Sequence, residues 1–367
     1  MPERFNGAVS KTAAFTGLVS SNLTPSAMKK NLYLLIFFVL FGAFLFPAIS
    51  LAQDYNPEAV FYLAQYNAEA GVKSVEQNWE KIDILAPQMH TVTFSGNSAK
   101  IVGGFGPKLK KAIKDHNLKV MPLVANANFS QSLMHKLLTS PAQQDRVIIG
   151  LVYLAKRDKY IGWQFDFENI RYTDKDLYSA FVEKTYKSFK KNNLILSVAA
   201  ITRTADFEDT NAFKNWGGAY DYEKISANSD FISLMAYDDP KSKGPSASSE
   251  FIEGILAYVK DKIPPEKMSL GVPLYYWKWN ADTNVRVGSG FFNNVLAIAS
   301  GYLHTISFDE SLGVSCMSYS YNNKNYKIWF EDQKSFQAKL DIMEKNNFRG
   351  FSAWLLGGED PDIWKSL

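Results

Sequence analysis

Cysteine and histidine are scarce in this sequence. The single cysteine, Cys316, excludes an internal disulfide, and a chain of 367 residues can bury a core large enough to fold without one. The four histidines are scattered and show none of the spacings that metal ligands take; they are His90, His116, His135 and His304. The sequence therefore predicts neither a metal site nor a cofactor.

Charge of one sign is not in excess either. Lys and Arg total 40 and Asp and Glu total 37, which gives a formal net charge of +3. Four of the basic residues and one acidic residue precede residue 53, so the rest of the chain carries 36 of each sign. A nucleic-acid partner needs a basic surface, and the balanced charge does not predict one.

Two local motifs of common enzyme classes are missing. No strand-like run is followed by Gly-x-Ser-x-Gly, the turn that presents the nucleophile of many serine hydrolases. The pairs Gly103-Gly104 and Gly357-Gly358 are typical of turns rather than of phosphate-binding loops. Neither a Ser-His-Asp hydrolase nor a phosphate-loop enzyme is therefore expected.

Long apolar runs are limited to one segment near the N-terminus. Leu32–Phe46 is 15 residues long, short of the roughly 20 that span a bilayer. Lysines precede it, and small residues at Ser50 and Ala52 follow it, which predicts a secretory signal peptide over residues 28–52, cut after Ala52. An uncleaved N-terminal anchor is the alternative. We expect residues 1–27 to be an N-terminal extension and residues 53–367 to be an exported domain.

Hydrophobic residues make up 46% of the chain and aromatic residues 14%, values typical of a globular protein rather than a disordered one. Most of the rings are expected in the core, and some of them could form platforms on which sugars stack. Composition alone does not separate these two roles.

Short strand-like runs alternate with helix-like stretches along residues 53–367, the pattern of a parallel sheet with crossover helices. The eight strand-like runs begin at Val60, Ile84, Lys119, Trp163, Leu194, Phe231, Met268 and Gly350. Residues 280–330 interrupt the rhythm between strands seven and eight with short β-like runs. The sequence therefore predicts an α/β fold, a (β/α)8 TIM barrel with one short insertion, as a single domain.

The stretch Tyr160–Ile170 alternates apolar and polar residues, which places two different sets of side chains on opposite faces of a strand. One face carries Trp163, Phe165 and Phe167, and the other carries Gln164, Asp166 and Glu168. An isolated Asp-x-Glu is more often a solvated edge than an active site. The aromatic residues favour a covered strand, where unpaired acids are rarely tolerated without a function.

Other strand-like runs end in residues suited to sugar binding. In a barrel these ends meet at one mouth, where acids and aromatic faces fit the hydroxyls and C–H surfaces of sugar rings. The residues concerned are Tyr66, Asn126, Met235, Tyr237, Asp238, Tyr275 and Trp354. Packing in the core is the alternative for the tyrosines, Asn126 and Trp354.

At this point the sequence resembles a known family. Gly162–Glu168 is similar to the strand-four signature of glycoside hydrolase family 18, Asp-Gly-x-Asp-x-Asp-x-Glu. Four more segments resemble the family's motifs in the family's order: Ser233–Asp238, Leu270–Tyr275, Trp329–Asp332 and Gly350–Pro361. The resemblance extends from about Val60 to Trp364, and the ends of strands four and eight resemble the spore- and cell-wall-associated branch.

The resemblance implies a retaining hydrolase in which the substrate's own N-acetyl group is the nucleophile. Glu168 would be the general acid and then the base, Asp166 would bind the acetamido N–H, and Tyr237 would hold the acetamido carbonyl. Trp354 would form the floor of the sugar site. The remaining candidates would bind substrate: Gln164, Tyr66, Asn126, Met235, Asp238 and Tyr275.

The implied partner is an oligosaccharide or polysaccharide that contains N-acetylglucosamine, such as chitin, chitooligosaccharides or peptidoglycan. No protein partner is predicted, and a monomer is expected. The alternative function is a lectin-like barrel that binds such sugars without cutting them. The presence of Glu168 favours the enzyme, because non-catalytic members of the family lack this acid.

Two positions depart from the family signature. Gln164 stands where the first Asp of the ladder is usual, and Ile161 stands where the signature opens with another Asp. An amide can donate a hydrogen bond but cannot take up a proton. We therefore predict a pH–rate profile set mainly by Asp166 and Glu168, which raise each other's pKa when both are charged.

Overall fold

A computed structural model describes residues 55–367, of which Asn56–Leu367 form one compact unit. The predicted signal peptide and the extension before it lie outside the described residues. In chain order the strands are β1 (Glu58–Ala64), β2 (Ile84–Ser95), β3 (Ser98–Gly103), β4 (Leu123–Asn126), β5 (Gly162–Asp166), β6 (Ile195–Ile201), β7 (Phe231–Met235), β8 (Met268–Pro273), β9 (Tyr276–Asn280), β10 (Val285–Gly290), β11 (His304–Asp309), β12 (Val314–Tyr321), β13 (Lys324–Phe330) and β14 (Gly350–Trp354).

Helices connect the parallel strands and cover the outside of the barrel, and one further helix packs on the insertion between β8 and β14. They are α1 (Ala68–Asn78), α2 (Pro107–Asp115), α3 (Gln131–Leu138), α4 (Pro141–Asp158), α5 (Lys175–Lys191), α6 (Asn211–Asn215), α7 (Tyr222–Ala227), α8 (Ser249–Val259), α9 (Phe292–Gly301) and α10 (Gln333–Lys345). Within residues 55–367, no helix is both long and apolar enough to cross a bilayer.

Eight parallel strands close into a barrel in the order β1, β2, β4, β5, β6, β7, β8 and β14, with β14 pairing back to β1. The predicted (β/α)8 barrel is therefore confirmed. One feature that the sequence did not predict is β3, which folds back on β2 as an antiparallel hairpin. The carboxyl ends of all eight barrel strands meet at one mouth, where barrel active sites form.

The aromatic face of β5 is buried against helices, as predicted. The indole N–H of Trp163 donates to the carbonyl of Leu151 on α4 at 2.9 Å. Phe165 and Phe167 pack against Phe181 of α5, with ring centroids 5.5 and 6.2 Å away. Burial of this face fixes the register of β5 and directs its polar face into the barrel.

The prediction that this strand continues to Ile170 is wrong, because β5 ends at Asp166. Beyond it, the backbone N–H of Glu168 donates to Asn126 Oδ1 and Asn126 Nδ2 donates to the carbonyl of Glu168, both at 3.0 Å. The Asn126 side chain thus takes the place of a neighbouring strand. Glu168 consequently lies on a loop anchored by Asn126 rather than on a continuous ladder.

The insertion between β8 and β14 is a five-stranded antiparallel sheet in the order β10, β9, β13, β12 and β11. It begins at Tyr276, earlier than the predicted residue 280. One face carries buried Trp277, Trp279 and Trp329, and the other packs on α9. The insertion therefore adds a structured wall beside the barrel mouth.

Candidate active site

Asp166 is the last residue of β5, and its carboxyl group is buried, with 3% of the residue exposed. Its Oδ2 accepts a hydrogen bond of 2.8 Å from Nε2 of Gln88 on β2. Burial raises the pKa of Asp166, while the hydrogen bonds from Gln88 and Glu168 oppose that rise. Asp166 is thus held in one orientation at the bottom of the barrel mouth.

Glu168 is half-buried and lines a cavity of about 1160 Å³ at the barrel mouth. Burial, followed by the negative charge of Asp166, raises the pKa of Glu168 to about 9. The predicted mutual effect of the two acids is present, but burial contributes more than the neighbouring charge. Glu168 therefore retains its proton at neutral pH, as a general acid must.

A neutral hydrogen-bond network lies among the strands beneath the two acids. Nε2 of Gln164 donates to the hydroxyl groups of Ser197 and Ser233 at 2.8 and 2.9 Å. The Ser233 hydroxyl is in turn 2.8 Å from that of Ser352. Gln164 is fully buried, so the structure gives it a positioning role, and its predicted contact with substrate stays a prediction.

Tyr62 of β1 belongs to the same layer. Burial raises the pKa of Tyr62 to about 12, against the opposing hydrogen bonds of Ser233 and Ser352. Its ring lies 5.5 Å from that of Trp354, centroid to centroid. The half-buried Trp354 at the end of β14 is therefore supported from below by a neutral phenol.

The loop after β7 forms another part of the mouth. The hydroxyl of Tyr275 donates to Asp238 Oδ1 at 2.5 Å, and the Ser246 hydroxyl donates to the same oxygen at 3.1 Å. The ring of Tyr237 packs edge-to-face on that of Tyr275 at 6.3 Å. Asp238, Ser246 and the two tyrosines thus form one connected unit.

A second cavity of about 1070 Å³ lies between this unit and the insertion sheet. Both cavities are lined by Asp238, Asp239 and Pro240, so they meet at the loop after β7. Tyr66 lies at the second cavity with 72% of its surface exposed. Aromatic side chains therefore line a long cleft across the barrel mouth.

The structure brings most of the predicted site residues to this cleft. The first cavity is lined by Glu168, Met235, Tyr237 and Asp238, and the second by Tyr66, Asp238, Tyr275 and Trp354. Asp166, Gln164 and Asn126 lie among the barrel strands beneath it, and all three are buried. Their predicted roles toward substrate stay predictions, although the structure supplies positioning contacts for all three.

Sequence reasoning missed Gln88, Tyr62 and the serines of the neutral network. Each lies within a strand, whereas most of the predicted residues lie where strands end. A polar residue such as Gln88 in the apolar run Ile84–Met89 is a signal that could have identified it. Within residues 55–367, no group of His, Cys, Asp or Glu is placed to hold a metal ion.

A barrel with a protonated glutamic acid in an aromatic-lined cleft has the features of an enzyme that cleaves glycosidic bonds. The family model for "Glycosyl hydrolases family 18" matches residues 45–359. The chain belongs to this family and is a glycoside hydrolase.

Individual relatives are more distant. The chain is 26% identical over 286 residues to "Uncharacterized glycosylase YvbX" of Bacillus subtilis, covering 76% of this chain and 82% of that protein. It is 27% identical over 271 residues to the cortical fragment-lytic enzyme of Bacillus subtilis, covering 71% of this chain but only 62% of that enzyme. The crystal structure of the spore cortex-lytic enzyme SleL of Bacillus megaterium superposes with a TM-score of 0.74 at 25% identity, covering 85% of this chain and 73% of that chain.

Proposed function

We propose that this hydrolase is an exported retaining enzyme that cleaves β-linked glycans containing N-acetylglucosamine, with the substrate's acetamido group as nucleophile. The observation that carries the proposal is the position of Glu168, which lines the cleft beside Asp166. Burial and the charge of Asp166 raise the pKa of Glu168 to about 9, which favours the protonated form at neutral pH. A protonated carboxylic acid facing a sugar-sized cleft can protonate the oxygen of a glycosidic bond.

In the first step, Glu168 gives its proton to the glycosidic oxygen as the bond from that oxygen to C1 breaks. The carbonyl oxygen of the acetamido group forms a bond to C1, which gives an oxazolinium ion. In the second step, Glu168 takes a proton from water as the water oxygen bonds to C1. The bond from C1 to the acetamido oxygen breaks, which restores the acetamido group and gives the sugar its original configuration. No enzyme carboxylate becomes bonded to the sugar in this sequence.

Asp166 would accept the acetamido N–H and stabilise the positive charge of the oxazolinium ion. The hydrogen bond from Gln88 supports this role, because it fixes the carboxyl group before substrate arrives. Tyr237 would hold the acetamido carbonyl in line, and Trp354 would pack beneath the sugar ring. The hydrogen bonds among Gln164 and the serine hydroxyl groups would fix the strands beneath the acids, so that the acids need not reorient during the reaction.

A cell-wall glycan is the substrate class that we propose. Its support is the similarity to enzymes named for lysis of the spore cortex and its fragments. Mass spectrometry of the products from chitin, peptidoglycan fragments and poly-N-acetylglucosamine tests this choice. Products from peptidoglycan fragments are expected, and products from the other two polymers alone would contradict it.

Export is proposed on the pattern of residues 28–52, a charged start followed by an apolar run and small residues. N-terminal sequencing of the protein recovered from the culture medium or periplasm should find Gln53 as the first residue. A product that keeps the apolar run and sediments with membranes would favour the uncleaved anchor instead.

The experiment that tests the proposed reaction compares wild type with Glu168→Gln on a chromogenic N-acetylglucosamine oligomer. Glutamine keeps the size of the side chain but cannot donate the proton, so kcat should fall about 10³-fold. Binding of the oligomer, measured by calorimetry, should persist. NMR of the first product formed by wild type should show the β anomer.

The matched control is Glu250→Gln, because Glu250 is an exposed glutamate that lines the same cavity. This variant should keep the wild-type rate within about twofold, as substitutions at exposed positions usually do. Oligomer binding without hydrolysis by wild type would contradict the reaction and favour the lectin-like alternative.

A further inference from the structure

The insertion sheet and the loop after β7 together present two tryptophans and two cations to the cleft. Trp277 and Trp279 lie two residues apart on β9 and therefore on the same face, with ring centroids 6.2 Å apart. The guanidinium carbon of Arg286 is 4.1 Å from the ring centroid of Trp277, and Lys243 Nζ is 6.0 Å from that of Trp279. All four residues line the second cavity.

The strand pairing explains the position of Arg286. Arg286 of β10 pairs with Trp279, so it projects from the same face of the sheet as the tryptophans. The register then shifts, and Gly288 rather than Val287 pairs with Lys278. β10 is an edge strand, and a bulge on such a strand often directs a side chain toward a functional site.

Neither cation forms an ion pair with an acidic side chain of residues 55–367. None of the ion pairs formed among residues 55–367 includes Arg286 or Lys243. The acids of the same cavity have neutral donors instead. Asp238 accepts from Tyr275 and Ser246, and Asp239 accepts the backbone N–H of Lys241 at 2.9 Å. The cavity therefore holds cations that are free to bind an external anion.

We propose that Arg286, assisted by Lys243, binds carboxylate groups carried by the glycan and so makes the enzyme faster on acidic chains than on neutral ones. This inference rests on the proposed glycosidase activity and adds the residues that select among its substrates. A guanidinium held 4.1 Å from an indole ring centroid keeps the planar fork that binds a carboxylate through two parallel hydrogen bonds. A neutral chain of N-acetylglucosamine offers no such group.

A cell-wall glycan carries carboxylates from two sources, the lactyl group of muramic acid and a peptide attached to it. Three oligosaccharides of equal length distinguish them: N-acetylglucosamine alone, the alternating muramic-acid chain without peptide, and the same chain with peptide. In the last of these the lactyl carboxyl group is consumed by the amide bond. Measuring kcat/KM on each substrate gives an acidic-to-neutral ratio.

Wild type should show an acidic-to-neutral ratio above one. The ratio should fall when salt is raised from about 0.05 to about 0.5 M, because salt screens the attraction between exposed charges. Arg286→Ala should lower the ratio about tenfold, as expected for loss of a charge-assisted pair. Arg286→Lys keeps the charge but not the fork and should lower it about threefold.

Lys278→Ala is the matched control, because Lys278 also stacks on aromatic rings of the sheet but on the opposite face, near Tyr319 and Tyr326. It should leave the ratio unchanged. Loss of the ratio only on the peptide-free chain assigns the carboxylate to the lactyl group, and loss only on the peptide-bearing chain assigns it to the peptide.

An unchanged ratio in Arg286→Ala on both acidic chains would overturn the inference while leaving the glycosidase activity in place. Failure of wild type to cleave any of the three chains would instead overturn the proposed function. The two failures are therefore distinguishable in one set of assays.

Discussion

The half-buried Glu168 and the buried Glu331 both have pKa values raised by burial, but their neighbours differ. Glu168 lies beside Asp166, whose negative charge raises its pKa further. Glu331, at the end of β13, lies 2.8 Å from Lys339 of α10, which opposes the effect of burial and leaves its pKa at about 7. Glu168 faces the cleft, whereas the Glu331–Lys339 pair is sealed, with 2% of each side chain exposed.

The comparison shows that burial alone does not make a carboxyl group a catalytic acid. A like charge nearby and access to substrate distinguish Glu168, while a cation and exclusion from solvent make Glu331 a structural group. The pair with Lys339 joins the insertion sheet to the last barrel helix. Mutation at Glu168 should therefore change the reaction rate, whereas mutation of the Glu331–Lys339 pair should change the stability.

The largest effect on stability is expected for Lys339→Met. Removing the lysine leaves the buried carboxyl group of Glu331 without its cation, which costs about 3–5 kcal/mol of unfolding free energy. Chemical denaturation followed by tryptophan fluorescence measures this loss. At temperatures where the variant is folded, its kcat should stay close to that of wild type.

The double variant Glu331→Leu/Lys339→Met is the control, since it removes both charges and should recover most of the lost stability. The double variant also removes the titrating carboxyl group of Glu331.

Because the pKa of Glu331 is raised by folding, its contribution to stability is full below its unfolded pKa and is lost as pH rises through about 7. The double variant should lack this loss, and equal stability of the single and double variants would contradict the account.

A smaller effect is expected for Asp166→Asn, which removes the negative charge beside Glu168. Loss of acetamido stabilisation should lower kcat about 10²-fold. The pKa of Glu168 should fall, because one cause of its rise is gone. A general acid works in its protonated form, so the alkaline limb of the rate profile should move to lower pH.

Profiles of kcat/KM against pH for wild type and Asp166→Asn measure that shift. An alkaline limb that stays in place or moves to higher pH would show that the Asp166 charge does not control Glu168.

The smallest effect is expected for Gln164→Asp, which adds a third acid beneath the pair. A buried carboxyl group near Asp166 should repel its charge and move the rate profile, with a change in kcat of no more than about tenfold. Ser197→Ala is the control, because it removes one hydrogen bond to Gln164 without adding charge. Superimposable profiles of wild type and Gln164→Asp would contradict the prediction that the Asp166–Glu168 pair sets the profile.

The barrel and the acid pair could be predicted from sequence because both depend on local periodicity. Alternation along Tyr160–Ile170 identified the buried aromatic face of β5 and the polar face opposite, and the βα rhythm identified the eight strands. The resemblance to family motifs added roles that periodicity does not contain.

The contacts that place these groups could not be predicted, because they join residues distant in the chain. Gln88 lies 78 positions before Asp166 in the chain. Asn126 forms its side-chain hydrogen bond, just beyond the end of β5, with Glu168, which is 42 positions later. The wall of the cleft depends on the register of β10 against β9 and on the bulge after Arg286. Such pairings are set by the folded sheet rather than by local pattern.

To act as the general acid, Glu168 must carry its proton at neutral pH in the folded enzyme. Infrared difference spectra between wild type and Glu168→Gln, recorded at successive pH values, report the carbonyl band of a protonated carboxylic acid at this position. We predict that the band persists at pH 7 and disappears only in alkaline solution. A band already lost at pH 5, near the ordinary pKa of a glutamic acid, would contradict the account.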